Sequence, residues 1–312
     1  MKTKRGLVTT LVLASALAWG CGAGVQPESA DGRMKIVATT TIVGDLVRTV
    51  GGDDVEVEVL MGPGIDPHLY KASAGDVRAM SSADAIIYNG LHLEGKMSEV
   101  LEEMGERGVK TVAVAECVDS AQLIAHADYE DLADPHVWFD VSLWAQTVDC
   151  LGPALAALDP ERASAFEERA RAYRDELVQL DEWVSSTVAE LPADQRILVT
   201  AHDAFSYFAQ AYDFEVRGLL GVSTASEAGT ADVQELAEFI VERRVPAVFV
   251  ESSVSPRFVE ALQEAVAARG FDVEIGGTLY SDSLGDPSSE AGSYLGTVRA
   301  NVQTIVGALT AE

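Results

Sequence analysis

The chain has 312 residues, 48% of them hydrophobic, and a formal net charge of −28 at neutral pH. So negative a surface repels nucleic acid and anionic lipid head groups, which excludes both as partners, and it draws cations toward any cleft. The length allows one large domain or two ordinary ones with real cores.

Lys2, Lys4 and Arg5 open the chain, and an apolar run from about Leu7 to Trp19 follows. The run is too short for a stable membrane span but suits a signal-peptide core, so residues 1–20 are read as a leader. Gly20-Cys21-Gly22 resembles a bacterial lipoprotein cleavage site, which makes Cys21 the expected lipidation point. Ala18 and Trp19 depart from the Leu and small residue usual there, and an ordinary cleaved leader is the alternative. Either way the protein is exported, to the periplasm or the outer face of the cytoplasmic membrane. Loss of the leader's three positive charges leaves a mature chain of 292 residues at −31. Residues 21–33 are small and polar and read as a flexible tether.

Strand-like and helix-like segments then alternate. The pattern predicts strands at 35–39, 55–60, 85–88 and 111–114, with helices over 43–50, near 74–81 and from Lys96. Short β-branched runs between amphipathic helices imply a parallel sheet covered on both faces, an N-terminal α/β lobe over 34–158. Asp159-Pro160-Glu161 carries good helix-start chemistry. Beyond it, apolar residues at Phe166, Ala170, Tyr173, Leu177, Leu180, Val184, Val188 and Leu191 step by three and four. This predicts one uninterrupted linking helix over 159–192, a rigid spine between lobes; a coiled-coil arm is the alternative. Strands at 196–200, 215–219 and 247–250, and one ending near Tyr280, alternate with helices from Ala204, over 233–243, near 256–269 and around 294–309. They describe a second parallel α/β lobe over 193–312.

Only five histidines occur, and two of them share one setting, Asp66-Pro67-His68 and Asp134-Pro135-His136. Proline restricts the backbone before each ring, which lowers the entropy lost on ligation. In open α/β sheets ligands bind beyond the carboxyl ends of strands. The strand at 196–200 runs into Ala201-His202-Asp203, and the strand ending at Tyr280 runs into Ser281-Asp282-Ser283. His68 follows a Gly-Pro-Gly turn after the second strand, and His136 follows an acidic loop. His68, His136, His202 and Asp282 therefore form a candidate metal set. Three imidazoles and a carboxylate suit Zn²⁺ in a closed tetrahedron, and a bidentate Asp282 would make the site tolerable for Mn²⁺. Asp66 and Asp134 are candidate acceptors for a ring N–H, fixing the tautomer, and Glu251 at a strand end is a third. Spacings of 66 to 80 residues fit no local motif, so satisfied core or surface histidines remain the alternative on spacing alone.

The stretches GIDPHLYKAS, NGLHLEGKM, DPHVWFD, TAHDAFSYF, GVSTASEAG and LYSDSLG occur in the order found in the exported zinc/manganese-binding receptors of bacterial ABC importers. From about residue 35 to the C-terminus the chain resembles that family of metal-receptor lipoproteins. The resemblance implies two α/β lobes tied by one long helix, with the metal ligands falling on His68, His136, His202 and Asp282. The third ligand is His202, as in the treponemal receptor type, where many manganese-type members have Glu. Zinc specialists often carry a His-rich loop in the first lobe; here Ala125–Asp134 has acids and only His126. Three imidazoles nevertheless favour zinc, with manganese second.

The expected function is capture of one Zn²⁺ or Mn²⁺ ion and its delivery to a membrane ABC permease by a monomeric, non-enzymatic receptor. The alternatives are an exported zinc hydrolase using Glu251 or Asp203 as base, and a surface adhesin. The first lacks HExxH and a nucleophile elbow; nothing in the sequence encodes a host ligand for the second. His92 is read as a packing residue near the cleft, His126 as solvated, and Trp138 and Phe139 as packing the seam between lobes. Cys117 and Cys150, an exported pair that could form a disulfide, are read as small buried hydrophobes, since two cysteines without close spacing make no disulfide framework.

Overall fold

Strand β1 (Met34–Ala38) runs at the centre of the first sheet, flanked on one side by β2 (Val55–Val59) and on the other by β3 (Ala85–Tyr88), with β4 (Lys110–Ala113) beyond. All three pairings are parallel. The computed structural model describes residues 32–310 apart from 127, 128, 130, 226 and 227, so the leader, Cys21 and nearly all of the tether lie outside the described residues. Helix α1 (Thr41–Gly51) starts where Thr40 turns its hydroxyl onto the Val43 N–H, and it buries Ile42, Val43, Leu46, Val47 and Val50. Helix α2 (Ala74–Ser81) opens with a reciprocal Ser73–Asp76 capping box, and α3 (Ser98–Glu106) buries Leu101 and Met104.

Two features of the first lobe depart from the sequence reading. A helix of 18 residues, α4 (Val141–Leu158), fills a stretch in which no element is expected. Gly152 and Pro153 interrupt its pattern, yet Val141, Leu143, Trp144, Val148, Leu151 and Leu155 are buried, and core packing outweighs the local penalty. In addition, Cys117 and Cys150 are not independent small hydrophobes but form a disulfide that staples the turn after β4 to α4. Spacing could not reveal the pair, because chain folding rather than sequence proximity brings the residues together.

The long helix α5 (Ala163–Val188) has 26 residues, about 39 Å of helix, and links the lobes. It is shorter than the expected 159–192, because Asp159 does not cap it. The Asp159 carboxylate instead accepts the N–H groups of Glu161 and Arg162 and pairs with the Arg162 guanidinium, closing the turn that folds α5 back on α4. The apolar stripe faces inward: Phe166, Tyr173, Leu177, Leu180, Val184 and Val188 are all buried. Arg169, on the edge of the same stripe, pins α5 to the end of α1, donating to the carbonyls of Val50 and Gly51 and pairing with Asp54.

In the second lobe β5 (Ile197–His202) pairs in parallel with β6 (Glu215–Leu220), and β7 (Ala247–Glu251) in parallel with β8 (Glu274–Leu279). Helices α6 (Ser206–Tyr212), α7 (Thr230–Arg243), α8 (Arg257–Ala267) and α9 (Tyr294–Leu309) cover the strands. One continuous apolar core runs from β1 and α1 through α4 and α5 to Phe205, Tyr207, Leu279, Tyr294 and Ile305. Smaller cores lie on the outer face of each lobe. The lobes thus share their largest apolar mass, which ties them through packing and not only through the covalent helix.

Candidate metal centre

Two candidate ligands sit at strand ends and two on loops. His202 is the last residue of β5, and Asp282 follows β8 by three residues. His68 ends a loop after β2 that turns at Gly62-Pro63-Gly64, and His136 heads a 3₁₀ turn, Val137–Phe139, leading to α4. Gly218 on β6 is needed beside His202: a Cβ there would lie 2.4 Å from the Asp203 nitrogen and 2.6 Å from the His202 carbonyl carbon.

The four side chains converge. One ligand atom from each of His68, His136, His202 and Asp282 lies within 4.8 Å of all the others, and all four residues are buried. Nε2 of His136 is 3.3 Å from Nε2 of His68 and 3.4 Å from Nε2 of His202. Oδ1 of Asp282 is 3.5 Å from Nε2 of both His136 and His202. Ligands about 2.0–2.1 Å from a tetrahedral zinc ion are separated by edges of about 3.3–3.4 Å, so these spacings fit one ion. Asp282 Oδ1 is a buried acceptor that makes no close hydrogen bond among the described residues, so its charge is balanced only by the two ring nitrogens at 3.5 Å or by a cation among them. Its other oxygen, Oδ2, accepts from the Ser253 hydroxyl at 3.0 Å, and Ser253 in turn meets Ser281. The set could hold one metal ion.

Two rings are backed by carboxylates. Nδ1 of His136 lies 2.7 Å from Asp134 Oδ1, and Nδ1 of His202 lies 2.5 Å from Glu251 Oε2. The same carboxylates accept the backbone N–H of the same histidines, at 2.9 Å and 2.8 Å. Each acid therefore fixes main chain and ring together and turns Nε2 toward the centre. Asp66 behaves otherwise than expected. Its Oδ1 accepts the His68 N–H at 2.9 Å, but its Oδ2 accepts the Thr224 hydroxyl at 2.6 Å, so it holds the backbone of His68 rather than its ring.

The electrostatics follow this division. Burial pushes the His68 ring down to about 3, only partly opposed by Asp282. Burial acts the same way on His136, but the Asp134 charge and hydrogen bond, with Asp282, overcome it and raise the ring to about 9. His202 is likewise held well above the ordinary imidazole range, because Glu251 and Asp282 outweigh its burial. Asp282 is held well below the usual carboxylate range: the neighbouring His202 and His136 overcome a desolvation that acts upward. The raised rings of His136 and His202 hold protons that a metal bound there would have to displace.

The remaining sequence candidates fall outside the ligand set. His92 is neither packed nor beside a ligand; it is exposed, adopts a left-handed φ of 65°, and lines a surface pocket with Glu94, Glu102, Glu106 and Glu116. His126 is not solvated but buried, with its ring edge-on to Tyr129 at 5.0 Å, because the loop closes through a His126 N–H bond to the Leu132 carbonyl. Asp203 accepts from Ser206, and burial raises its carboxyl. Trp138 reaches across the seam, donating its indole N–H to the Ser281 carbonyl, while Phe139 packs on Phe205. Thr224, Ser253 and Asn89 support the site without having been singled out from the sequence. Asn89 donates to the Pro135 carbonyl just ahead of His136, and buried Glu94 holds the Asn89 and Gly90 N–H groups. Hydroxyl and amide side chains carry no periodic signal that would have marked them.

Two parallel α/β lobes, a linking helix, and a buried three-imidazole, one-carboxylate set between the lobes define the class of two-lobe metal-binding receptors. The chain belongs to the zinc-uptake complex component A, periplasmic, family, whose model matches residues 36–308. It is 49% identical to the zinc-binding protein TroA of Treponema pallidum, over 92% of each chain. It is 44% identical to the manganese-binding lipoprotein MntA of Bacillus subtilis, over 98% of this chain and 99% of that protein. A solved structure of the periplasmic zinc-binding protein TroA from Treponema pallidum superposes with a TM-score of 0.86, covering 90% of this chain and all of that one.

Proposed function

We propose that this chain captures one divalent metal ion, zinc first and manganese second, outside the cytoplasmic membrane and hands it to the membrane permease of an ABC importer. His68, His136, His202 and Asp282 are the ligands in this reading, with Asp134 and Glu251 orienting two of the rings. The observation that carries it is the meeting of three imidazoles and the Asp282 carboxylate in one buried space. The relatives, one named for zinc and one for manganese, support a metal cargo of either kind. Three nitrogen donors weight the choice to zinc, which outcompetes manganese at such sites. The set supports carriage over catalysis, since four protein ligands leave no coordination position for an activated water. The adhesin alternative gains no support.

Residues 1–20 act as leader and Cys21 as the lipid attachment point, in keeping with relatives named as lipoproteins. The mature protein works as a monomer divided at 34–158, 159–192 and 193–312. Its shared core and long helix restrict the lobes to a small tilt, so the permease has to draw the ligands apart to release the ion. Elemental analysis of protein purified from its native compartment, beside His202→Ala, tests the central claim. One equivalent of zinc or manganese, lost in the variant, is expected; a full equivalent retained by the variant removes His202 from the site.

A further inference from the structure

Within that reading, the three histidines are not held alike. His136 and His202 are fully buried, and each has a carboxylate against Nδ1. His68 is the most exposed of the three at 5% and is held through its main chain, by Asp66 Oδ1 on its N–H. The loop that carries it is gripped from the other lobe at two points. Gly64, at φ +74°, donates its N–H to the Ser283 hydroxyl at 2.8 Å, and a Cβ there would come within 3.2 Å of the Ser252 carbonyl oxygen. Two residues on, Asp66 Oδ2 accepts the Thr224 hydroxyl at 2.6 Å, across a sequence separation of 158.

We infer that Thr224 is a positioning residue for the metal: from the second lobe, through Asp66, it holds the His68 loop over the centre and so sets how long the ion stays. The contact is short, half-buried and made to a carboxylate, the kind of hydrogen bond that contributes most. It lies between loops of opposite lobes, so any tilt that parts the lobes stretches it. It also acts on the ligand with least support of its own. Separation of Thr224 from Asp66 frees the 62–68 loop to swing His68 off the ion, while His136 and His202 stay fixed by Asp134 and Glu251. The order of release follows: His68 leaves first and returns last. The Thr224 hydroxyl bonds to Asp66 and to no ligand ring among the described residues, so it governs dissociation and not the initial encounter, which the buried pair and the acidic surface conduct.

The test is the rate of zinc loss to a chromophoric chelator, with association measured separately by rapid mixing, for wild type, Thr224→Ala, Thr224→Ser and Asp66→Asn. One hydrogen bond to a charged acceptor predicts about tenfold faster release for Thr224→Ala, with association unchanged. Thr224→Ser, which keeps the hydroxyl, is expected to stay within about twofold of wild type on the same ground. The double variant Thr224→Ala/Asp66→Asn should release more slowly than the product of the two single effects predicts, since both changes act on one contact. Wild-type release from Thr224→Ala, equal acceleration in Thr224→Ser, or additive effects in the double variant would each overturn the inference. Failure of the wild type to bind zinc or manganese at all would instead overturn the metal-receptor reading on which it rests.

Discussion

Asp66-Pro67-His68 and Asp134-Pro135-His136 begin alike and end differently. In both, the aspartate Oδ1 accepts the histidine N–H at 2.9 Å, an Asx turn that the three residues make by themselves. Beyond that turn the two diverge. Asp134 also meets its own histidine ring at 2.7 Å, whereas Asp66 sends its second oxygen to Thr224 in the other lobe. The first arrangement locks a ring; the second locks a loop. Identical local sequence therefore yields one histidine held by its ring and one whose loop is held from the other lobe.

That contrast can be broken most severely at the ligands. His136→Ala should weaken zinc binding roughly 100- to 1,000-fold, a proportionate share of the binding free energy of a four-ligand zinc site. His68→Ala should cost about tenfold less than that, because its ring lacks the carboxylate partner that raises ligand basicity. Competition against chelators of graded strength measures both; equal losses would erase the distinction. One step smaller, Asp134→Asn and Glu251→Gln should each lower affinity about 10- to 100-fold, the usual effect of a partner behind a metal-bound imidazole. Asp66→Asn should fall short of either and show itself in release rate.

The pH dependence sharpens the same comparison. The metal has to displace protons from His136, held at about 9, and from His202, held higher than an ordinary imidazole. Affinity should therefore rise with pH through neutrality and level off only near 9, with protons released on binding at pH 7; calorimetry in buffers of different ionisation enthalpy reads that release. For the metal-free fold the signs oppose each other. The raised His136 gives stability that is full below about 6.5 and lost as pH climbs through about 9. The depressed His68 gives stability present above about 6.5 and lost as pH falls toward about 3. Substituting His68 should thus flatten the acid limb of the melting profile, and substituting His136 the alkaline limb. The smallest expected change is in α5: amide exchange along Ala163–Val188 should slow by less than about threefold on metal binding, since its buried stripe belongs to the shared core in either state. A helix that exchanges freely without metal would contradict a rigid link.

Much of the framework was legible because it rests on local rules. β-branched runs marked the strands, and the expected last helix around 294–309 coincides with α9. The inward stripe of α5 follows the three-and-four spacing, although its start does not, because Asp159 is drawn into the turn that ends α4. The unexpected α4 shows the opposite limit, a helix held by burial across a Gly-Pro pair.

Taken alone, the chain settled which chemical groups are on offer: scarce imidazoles, two of them stiffened by proline beside an acid, and a histidine and an aspartate at strand ends. Those are consequences of φ restriction and of side chains reaching two residues along the backbone, and they need no distant partner. The three-dimensional fold decided which groups meet. It brought residues 68, 136, 202 and 282 into one buried space, assigned Asp134 and Glu251 to rings and Asp66 to Thr224, and joined Cys117 to Cys150. Encounters across such separations are fixed by how helices and sheets pack around a common core, and that packing is a property of the whole chain.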